Sequence, residues 1–180
     1  MNFDPSVELE TKRLILRFMR EEDTHDIFRN INHDKDVLKF YMDKYVEDEK
    51  DMTLNKTIEY CLNNQKYFFA IELKENHEVI GMIHQCSTPN ERFNSTEIGY
   101  AIGQKYWNQG YVTEALKAMI KFMLSLGIHK VEVSYLVGND ASRRVIEKNG
   151  LVFEGRRKDE VFYRGQYHDV DYYYIINEDK

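Results

Sequence analysis

The sequence lacks any apolar run near the roughly 18 residues that a transmembrane helix needs, so no membrane-spanning segment is expected. Its first residues, Met1 to Pro5, show no basic stretch followed by an apolar one, which argues against a secretory signal peptide. There are only two cysteines, Cys61 and Cys86, and their separation fits neither a metal motif nor a redox motif. We therefore expect two free thiols in a protein of the reducing cytoplasm.

Charge and length set further limits. The formal net charge of −6 argues against nucleic acid as the main partner and is compatible with a small-molecule substrate or a basic protein. The hydrophobic fraction of 42% excludes a disordered chain. With 180 residues, one domain spanning 1–180 is expected, large enough to bury roughly 70% of the surface that the unfolded chain exposes.

The first half of the chain predicts one strand, two helices and three more strands. The stretch TKRLILRFM places Leu14 and Leu16 on one face and Arg13, Ile15 and Arg17 on the other, an alternation typical of a strand. The stretch REEDTHDIFRNIN, with acidic residues at its start, predicts a helix, and a second helix carries Leu54, Ile58, Cys61 and Leu62 on one face. The strands that follow are KYFFAIELK, VIGMIHQCS and TEIGYAIG, and the turn ENHE makes the first two a hairpin.

The second half predicts a crossover. A helix over about Thr113 to Leu126 ends at Gly127 and leads to the strand KVEVSYLV. A short helix follows, capped by Asn139 or Asp140, and two strands surround the turn RGQ. The expected fold is mixed α/β, a mostly antiparallel sheet of about seven strands with flanking helices, in which the crossover creates one parallel strand pair. Ligands bind such sheets where a strand ends and its helix begins.

The start of the helix near Thr113 carries no acidic residue before Glu114. Its first amides have no backbone partner, and Gly110 in the preceding turn would let an anion approach them closely. The segment Gln109-Gly110-Tyr111-Val112-Thr113 could therefore hold a pyrophosphate. An ordinary loop with Thr113 as its cap is the alternative, and the five residues alone favour that alternative.

The order of these elements and four motifs resemble the GNAT superfamily of acetyl-CoA-dependent N-acetyltransferases, in particular the RimJ/RimL type that acetylates the N-terminal residue of ribosomal proteins. The motifs are EIGYAI, YWNQGYVTEAL, NDASRRVIEKNGLVFEG and GQYHDVDYYY, and the resemblance runs from TKRLILR to YYYII. At the superfamily's phosphate loop, Gly110 matches. Trp107 stands where Gln or Arg is usual, and Val112 stands where a small residue is usual.

The resemblance implies a V-shaped cleft between the EIGYAI and KVEVSYLV strands. The pantetheine arm of acetyl-CoA would bond the main chain near Tyr100, Ala101 and Ile102. The pyrophosphate would lie on the amides of the segment 109–113. Asn139 and Ser142 match the group's Asn-x-x-Ser, near the arm and its sulfur.

Two catalytic roles follow from the same resemblance. Ser142 would donate a hydrogen bond to the departing CoA thiolate, and its alternative role is that of a capping or solvent-facing hydroxyl. Glu97 would be the general base, because an amine must be neutral to attack a thioester. A polar residue on a strand face is an equal alternative for Glu97, and Glu160 is a second candidate base.

No metal is expected at His168, Asp169 and Asp171, since neighbours along a strand point to opposite faces. The sequence thus predicts an acetyltransferase that moves acetyl directly from acetyl-CoA to a primary amine, preferably a protein N-terminus. A small amine such as a polyamine, an antibiotic or an amino acid derivative is the second reading, and a non-catalytic acyl-CoA-binding module is the third. The aromatic C-terminal strands could also support a homo-oligomer.

Overall fold

The computed structural model describes residues 3–90 and 92–178, and one eight-stranded sheet runs through it in the order β1-β2-β3-β4-β5-β6-β8-β7. The strands are β1 Glu8–Glu10, β2 Leu14–Phe18, β3 Phe68–Leu73, β4 Val79–Gln85, β5 Ser95–Ile102, β6 Lys130–Leu136, β7 Val152–Tyr163 and β8 Gln166–Ile176. The α-helices are α1 Thr24–Ile27, α2 Leu54–Asn63, α3 Tyr111–Ser125 and α4 Asp140–Lys148.

The strand pairing confirms the predicted fold. Neighbouring strands are antiparallel except β5 and β6, which are parallel and are joined by α3. The β3–β4 hairpin was predicted as well. The count of about seven strands was one short, because β1 has only three residues at the sheet edge, and the alternation of Val7 and Leu9 with two glutamates is very short.

Helices cover both faces of the sheet. On one face, α3 and α4 pack into a core with β2, β3 and β6, using side chains such as Leu116, Met119 and Ile146. On the other face, α1 and α2 pack through Ile27, Leu54 and Cys61 onto a second cluster that includes Phe68, Met82 and Ala101. Within the described residues, no helix is long and apolar enough to cross a membrane. The sheet thus has two distinct faces, and β5 contributes side chains to both.

The first predicted helix is present as one continuous helical segment whose geometry changes along its length. A 3₁₀ turn Glu21–Asp23 leads into α1, and a π-helical turn Phe28–Asn32 follows. Asn30 and Asn32 are buried there, and their side-chain amides bond the carbonyls of Val79 and Lys44. Both bonds run to other segments of the chain, and both asparagines lie in the π-helical turn. The predicted helix is therefore present, and the sequence missed only its changes of geometry.

The long β7–β8 hairpin is fixed to the face that carries α1 and α2. The Tyr163 hydroxyl, near the hairpin tip, donates to the Leu38 carbonyl at 2.8 Å. Leu38 belongs to a 3₁₀ turn, Val37–Lys39. The contact holds the hairpin and this turn together at one end of the sheet.

Candidate active site

A gap opens between β5 and β6. The two strands pair only from Ser95 to Glu97 on β5 and from Lys130 to Glu132 on β6. Both strands continue beyond these pairs, to Ile102 and Leu136. The predicted cleft between the EIGYAI and KVEVSYLV strands therefore corresponds to a real separation of the sheet.

Main-chain groups of β5 face this gap at alternate residues. Bonds from Cys86 N to Glu97 O and from Gly103 N to Ile80 O show that the odd-numbered residues of β5 bond to β4. The peptide groups of Ala101 therefore point to β4, whereas those of Tyr100 and Ile102 point to the gap. The Ile102 carbonyl already accepts a bond from Trp107 Nε1 at 2.9 Å. Of the three residues expected to bond the pantetheine arm, Tyr100 is the best placed.

The α3 N-terminus has the features expected of an anion site. Gly110 holds the left-handed φ of +80° that lets the chain turn into the helix, and no side chain caps the helix start. The first helical bond runs from Glu114 N to Gly110 O, so the amides of Tyr111, Val112 and Thr113 precede the helical ladder. The helix begins at Tyr111, two residues before the predicted start.

Val112 does not obstruct these amides. Its side chain is 8% exposed and belongs to the core under α3. Val112 is larger than the residue usual at this position in the superfamily, but its side chain points into the core. Gln109 is exposed, and its side chain bonds the Lys105 carbonyl at 2.8 Å, which keeps it beside the loop.

Arg13 organises the loop from the neighbouring strand entry, and sequence reasoning did not find it. Its guanidinium donates to the Gln109 carbonyl at 2.9 Å and lies 4.2 Å from the centre of the Tyr111 ring. It also pairs with Glu114 at 2.8 Å. Burial raises the pKa of Glu114, but bonds from Thr11 and Arg13 more than offset this and lower it. The Arg13–Glu114 pair carries no net charge, so the acidic residue of this first turn does not oppose an anion at the bare amides.

Ser142 lies at the start of α4 with its side chain buried. The Asn139 side chain caps α4 by accepting a bond from Ser142 N at 3.2 Å, so the predicted capping role of Asn139 is confirmed. The Ser142 hydroxyl lies 2.6 Å from the Tyr100 hydroxyl. Burial raises the pKa of Tyr100 to about 12, with partial compensation by Ser142. Sequence reasoning assigned Tyr100 only a main-chain role.

Glu97 projects from the opposite face of β5. Its carboxylate accepts a bond from the Ser134 hydroxyl of β6 at 2.5 Å. Tyr172, across from Ser134 in the β6–β8 register, is close enough that the charge of Glu97 adds to burial in raising the Tyr172 pKa. Glu97 and Ser142 thus flank the gap from its two sides.

Glu160 lies farther out on β7. It is paired with Arg157 at 3.1 Å in a contact that is largely solvent-exposed. Its charge also contributes to the raised pKa of Tyr172. A carboxylate engaged in a surface ion pair is less available as a base, so Glu97 is the better placed of the two candidates.

The residues considered for a metal have other partners. Asp171 is bonded by Arg156 and by the Tyr135 hydroxyl, and His168 Nε2 lies 3.1 Å from the Tyr163 carbonyl. Among residues 3–90 and 92–178 there is no group of three or more His, Cys, Asp or Glu arranged to hold a metal ion. In the same residues, Cys61 and Cys86 are both free thiols.

Residues 13–152 match the acetyltransferase (GNAT) domain family, so the chain belongs to this family of acetyl-transferring enzymes. Similar curated proteins include the ribosomal protein uS5-alanine N-acetyltransferase of Escherichia coli, 27% identical over 173 residues that cover 92% of this chain and 88% of that protein. The spermidine N(1)-acetyltransferase of Vibrio cholerae is 25% identical over 167 residues, or 91% and 93% of the two chains.

Solved structures agree on the fold. RimJ of Mycobacterium smegmatis in complex with CoA-disulfide superposes with a TM-score of 0.84 at 19% identity, covering 96% of this chain and 88% of that one. A GNAT-family acetyltransferase of Bacillus anthracis superposes with a TM-score of 0.83 at 25% identity, covering 96% and 100%. The resemblance drawn from the four sequence motifs is thereby confirmed.

Proposed function

We propose that this GNAT enzyme, as a single domain over 1–180, transfers acetyl from acetyl-CoA directly to a primary amine bound in the β5–β6 gap. One observation carries the proposal: the gap is flanked by a helix start with bare amides and a buried hydroxyl pair on one face, and by the Glu97 carboxylate on the other. Such an arrangement can hold the donor on one side and deprotonate an acceptor on the other.

The donor side fits acetyl-CoA. The amides of Tyr111, Val112 and Thr113, with the backbone of Gln109 and Gly110, would bind the pyrophosphate, and Arg13 would hold the loop in place through the Gln109 carbonyl. The main chain of Tyr100, with Ala101 and Ile102 beside it, would bond the pantetheine arm, and Asn139 would hold the α4 start against it. When bound, acetyl-CoA supplies an activated acyl group on a thiolate leaving group.

Direct transfer is favoured over a covalent enzyme intermediate. The nearest thiol on the Glu97 face is Cys86, whose sulfur lies beside Gly99 although the residue as a whole is exposed. Burial of the thiol, with the nearby charge of Glu97, raises the pKa of Cys86 to about 12. A thiol that stays protonated is a poor nucleophile. The acceptor amine is then the attacking group, and Glu97, directly or through water, takes its proton.

For the acceptor, we favour the N-terminal amino group of a protein, as in the uS5-alanine N-acetyltransferase relative. The spermidine N(1)-acetyltransferase relative supports a small amine as the second candidate. A non-catalytic acyl-CoA-binding module remains the third. A cytoplasmic location and a homo-oligomeric state stay predictions from the sequence.

An acceptor panel tests these alternatives. Purified enzyme with acetyl-CoA is given peptides that begin with Ala or Ser, the same peptides with a blocked N-terminus, and spermidine, while CoA release is followed. We expect turnover of the free peptides and none of the blocked ones. Turnover of spermidine alone would select the small-amine function. Acetyl-CoA binding without turnover of any amine would select the binding module.

A further inference from the structure

Tyr100 and Ser142 form an isolated hydroxyl pair on the α4 side of the gap. Their oxygens are 2.6 Å apart, and Ser142 is 8% exposed. In the part of the chain that the structure describes, each hydroxyl is the only side-chain partner of the other. The two residues come from β5 and α4, which are the elements that line the donor side of the gap.

Either hydroxyl can donate in this hydrogen bond. A phenol shielded from water needs an acceptor for its O–H, and the Ser142 oxygen is an acceptor within reach of Tyr100. With Tyr100 donating, the Ser142 oxygen accepts, and the Ser142 hydrogen is free to point elsewhere. Asn139 fixes the backbone of Ser142 and therefore the base of this side chain.

We propose that Tyr100 is a positioning residue: its hydroxyl donates to Ser142 and thereby directs the Ser142 hydroxyl hydrogen into the gap, toward the sulfur of bound acetyl-CoA. This rests on the proposed function. As the carbon–sulfur bond breaks, its electron pair passes to the sulfur, and the Ser142 hydrogen bond stabilises that charge. The amine proton leaves to Glu97 or water. A donor chain of two hydroxyls polarises its last member, which strengthens the bond to a charged acceptor.

Tyr100 does not itself transfer a proton to the leaving sulfur. Burial raises the pKa of Tyr100 to about 12, whereas a cysteine thiol has a pKa of about 8.5. A thiolate would not take the proton from so weak an acid. Tyr100 therefore acts as a neutral donor, and the thiolate leaves with hydrogen-bond assistance.

The sharpest test measures binding, without turnover. Calorimetry at pH 9.5, where a substantial fraction of free CoA is thiolate, compares CoA with desulfo-CoA. We expect the wild type to prefer CoA about 10-fold, because a hydrogen bond to a charged acceptor is worth about 1.5 kcal/mol. Tyr100→Phe should reduce the preference to about threefold and Ser142→Ala should abolish it. Tyr67→Phe, which removes a buried hydroxyl bonded to Asp4 N on the edge side of the sheet, is the control and should keep the 10-fold preference.

Kinetics add a second readout. Ser142→Ala should keep the fold and lose roughly 10 to 10³-fold in kcat with little change in the amine KM. Tyr100→Phe should lose less, and it should cause no further loss when Ser142 is already Ala. The proposal would be overturned if Tyr100→Phe weakened the binding of CoA and desulfo-CoA equally. It would also be overturned if Tyr100→Phe lowered kcat as much in the Ser142→Ala background as in the wild type. If the wild-type enzyme acetylates amines but binds CoA and desulfo-CoA equally, the proposal is overturned and the proposed function stands. If the wild type does not bind CoA, both are overturned.

Discussion

At the scale of single residues, the role of Glu97 can be separated from the general charge of its surroundings. Glu97→Gln keeps the shape and can still accept the Ser134 hydrogen bond, but it cannot take a proton. We expect kcat to fall about 10² to 10⁴-fold, most strongly at low pH. A free α-amino group has a pKa of about 8, so an acceptor increasingly needs a base below that value. A pH–rate profile of both proteins measures this.

Glu132→Gln is the matched control for this substitution. Glu132 pairs with Glu97 in the β5–β6 register and is bonded to Lys130 at 2.9 Å. If both variants lose rate equally at every pH, the effect is one of local charge, and the general base is Glu160 or water. Loss confined to Glu97→Gln, with the stated pH dependence, identifies the base.

Single functional residues could be predicted from the sequence where they lie within one of the recognised motifs. Gly110, Asn139 and Ser142 stand in the motifs, and the structure brings Asn139 and Ser142 together as a helix cap. The hydroxyl contact between Tyr100 and Ser142 joins positions 42 residues apart, and the guanidinium of Arg13 reaches a loop 96 residues away. No local pattern encodes such contacts, because they depend on how the strands are ordered in the sheet.

At the scale of the element, the start of α3 depends on the backbone of Gly110. At φ +80°, a Cβ would meet only the Arg13 guanidinium, at 3.6 Å, so a side chain there is opposed by backbone strain more than by a clash. A β-branched residue at such φ costs roughly 1–3 kcal/mol. We expect Gly110→Val to shift the loop and its amides and to raise the acetyl-CoA Kd at least 10-fold, measured by calorimetry on the folded variant.

Gly165→Val provides the control for this experiment. Gly165 has a φ of +82° in the β7–β8 turn, with open space around its would-be Cβ. A valine at this position introduces the same kind of backbone strain away from the loop before α3, and it should leave the acetyl-CoA Kd unchanged. Unchanged affinity in a folded Gly110→Val protein would show that the α3 amides do not hold the pyrophosphate.

Elements with strong periodicity could be predicted, and elements defined by tertiary contacts could not. The β3–β4 hairpin and the helix ending at Gly127 carry clear patterns, and both are present. The segment from Glu21 to Asn32 has helical spacing and is helical throughout, but no sequence pattern marks its change from 3₁₀ through α to π geometry. The start of α3 was placed two residues late, because a glycine in a left-handed conformation, and not a capping side chain, defines it.

At the scale of the whole molecule, a buried ion network ties the β2–β3 region to the segment before α1. Arg17 pairs with Asp23 at 2.8 Å and with Glu72, and Glu72 also contacts His77 at 2.7 Å. Burial raises the pKa of Glu72, but bonds from His77 and Arg17 outweigh it and lower the pKa below the ordinary value. The network lies at the edge of the sheet away from the β5–β6 gap, so it affects stability separately from activity.

The lowered pKa of Glu72 makes folding stability depend on acid. Because the folded-state pKa lies below the unfolded one, Glu72 stabilises the fold above about pH 4.3, and this contribution disappears as the pH falls through the folded-state value. Glu72→Gln should therefore lower the free energy of unfolding by about 2 kcal/mol at pH 7. The difference from wild type should shrink toward zero below pH 4, as measured by urea unfolding across pH. Glu59→Gln, at an exposed position of α2, is the control and should follow the wild type throughout. A Glu72→Gln deficit that stays constant down to pH 3 would mean that lost packing, and not the carboxylate charge, accounts for the effect.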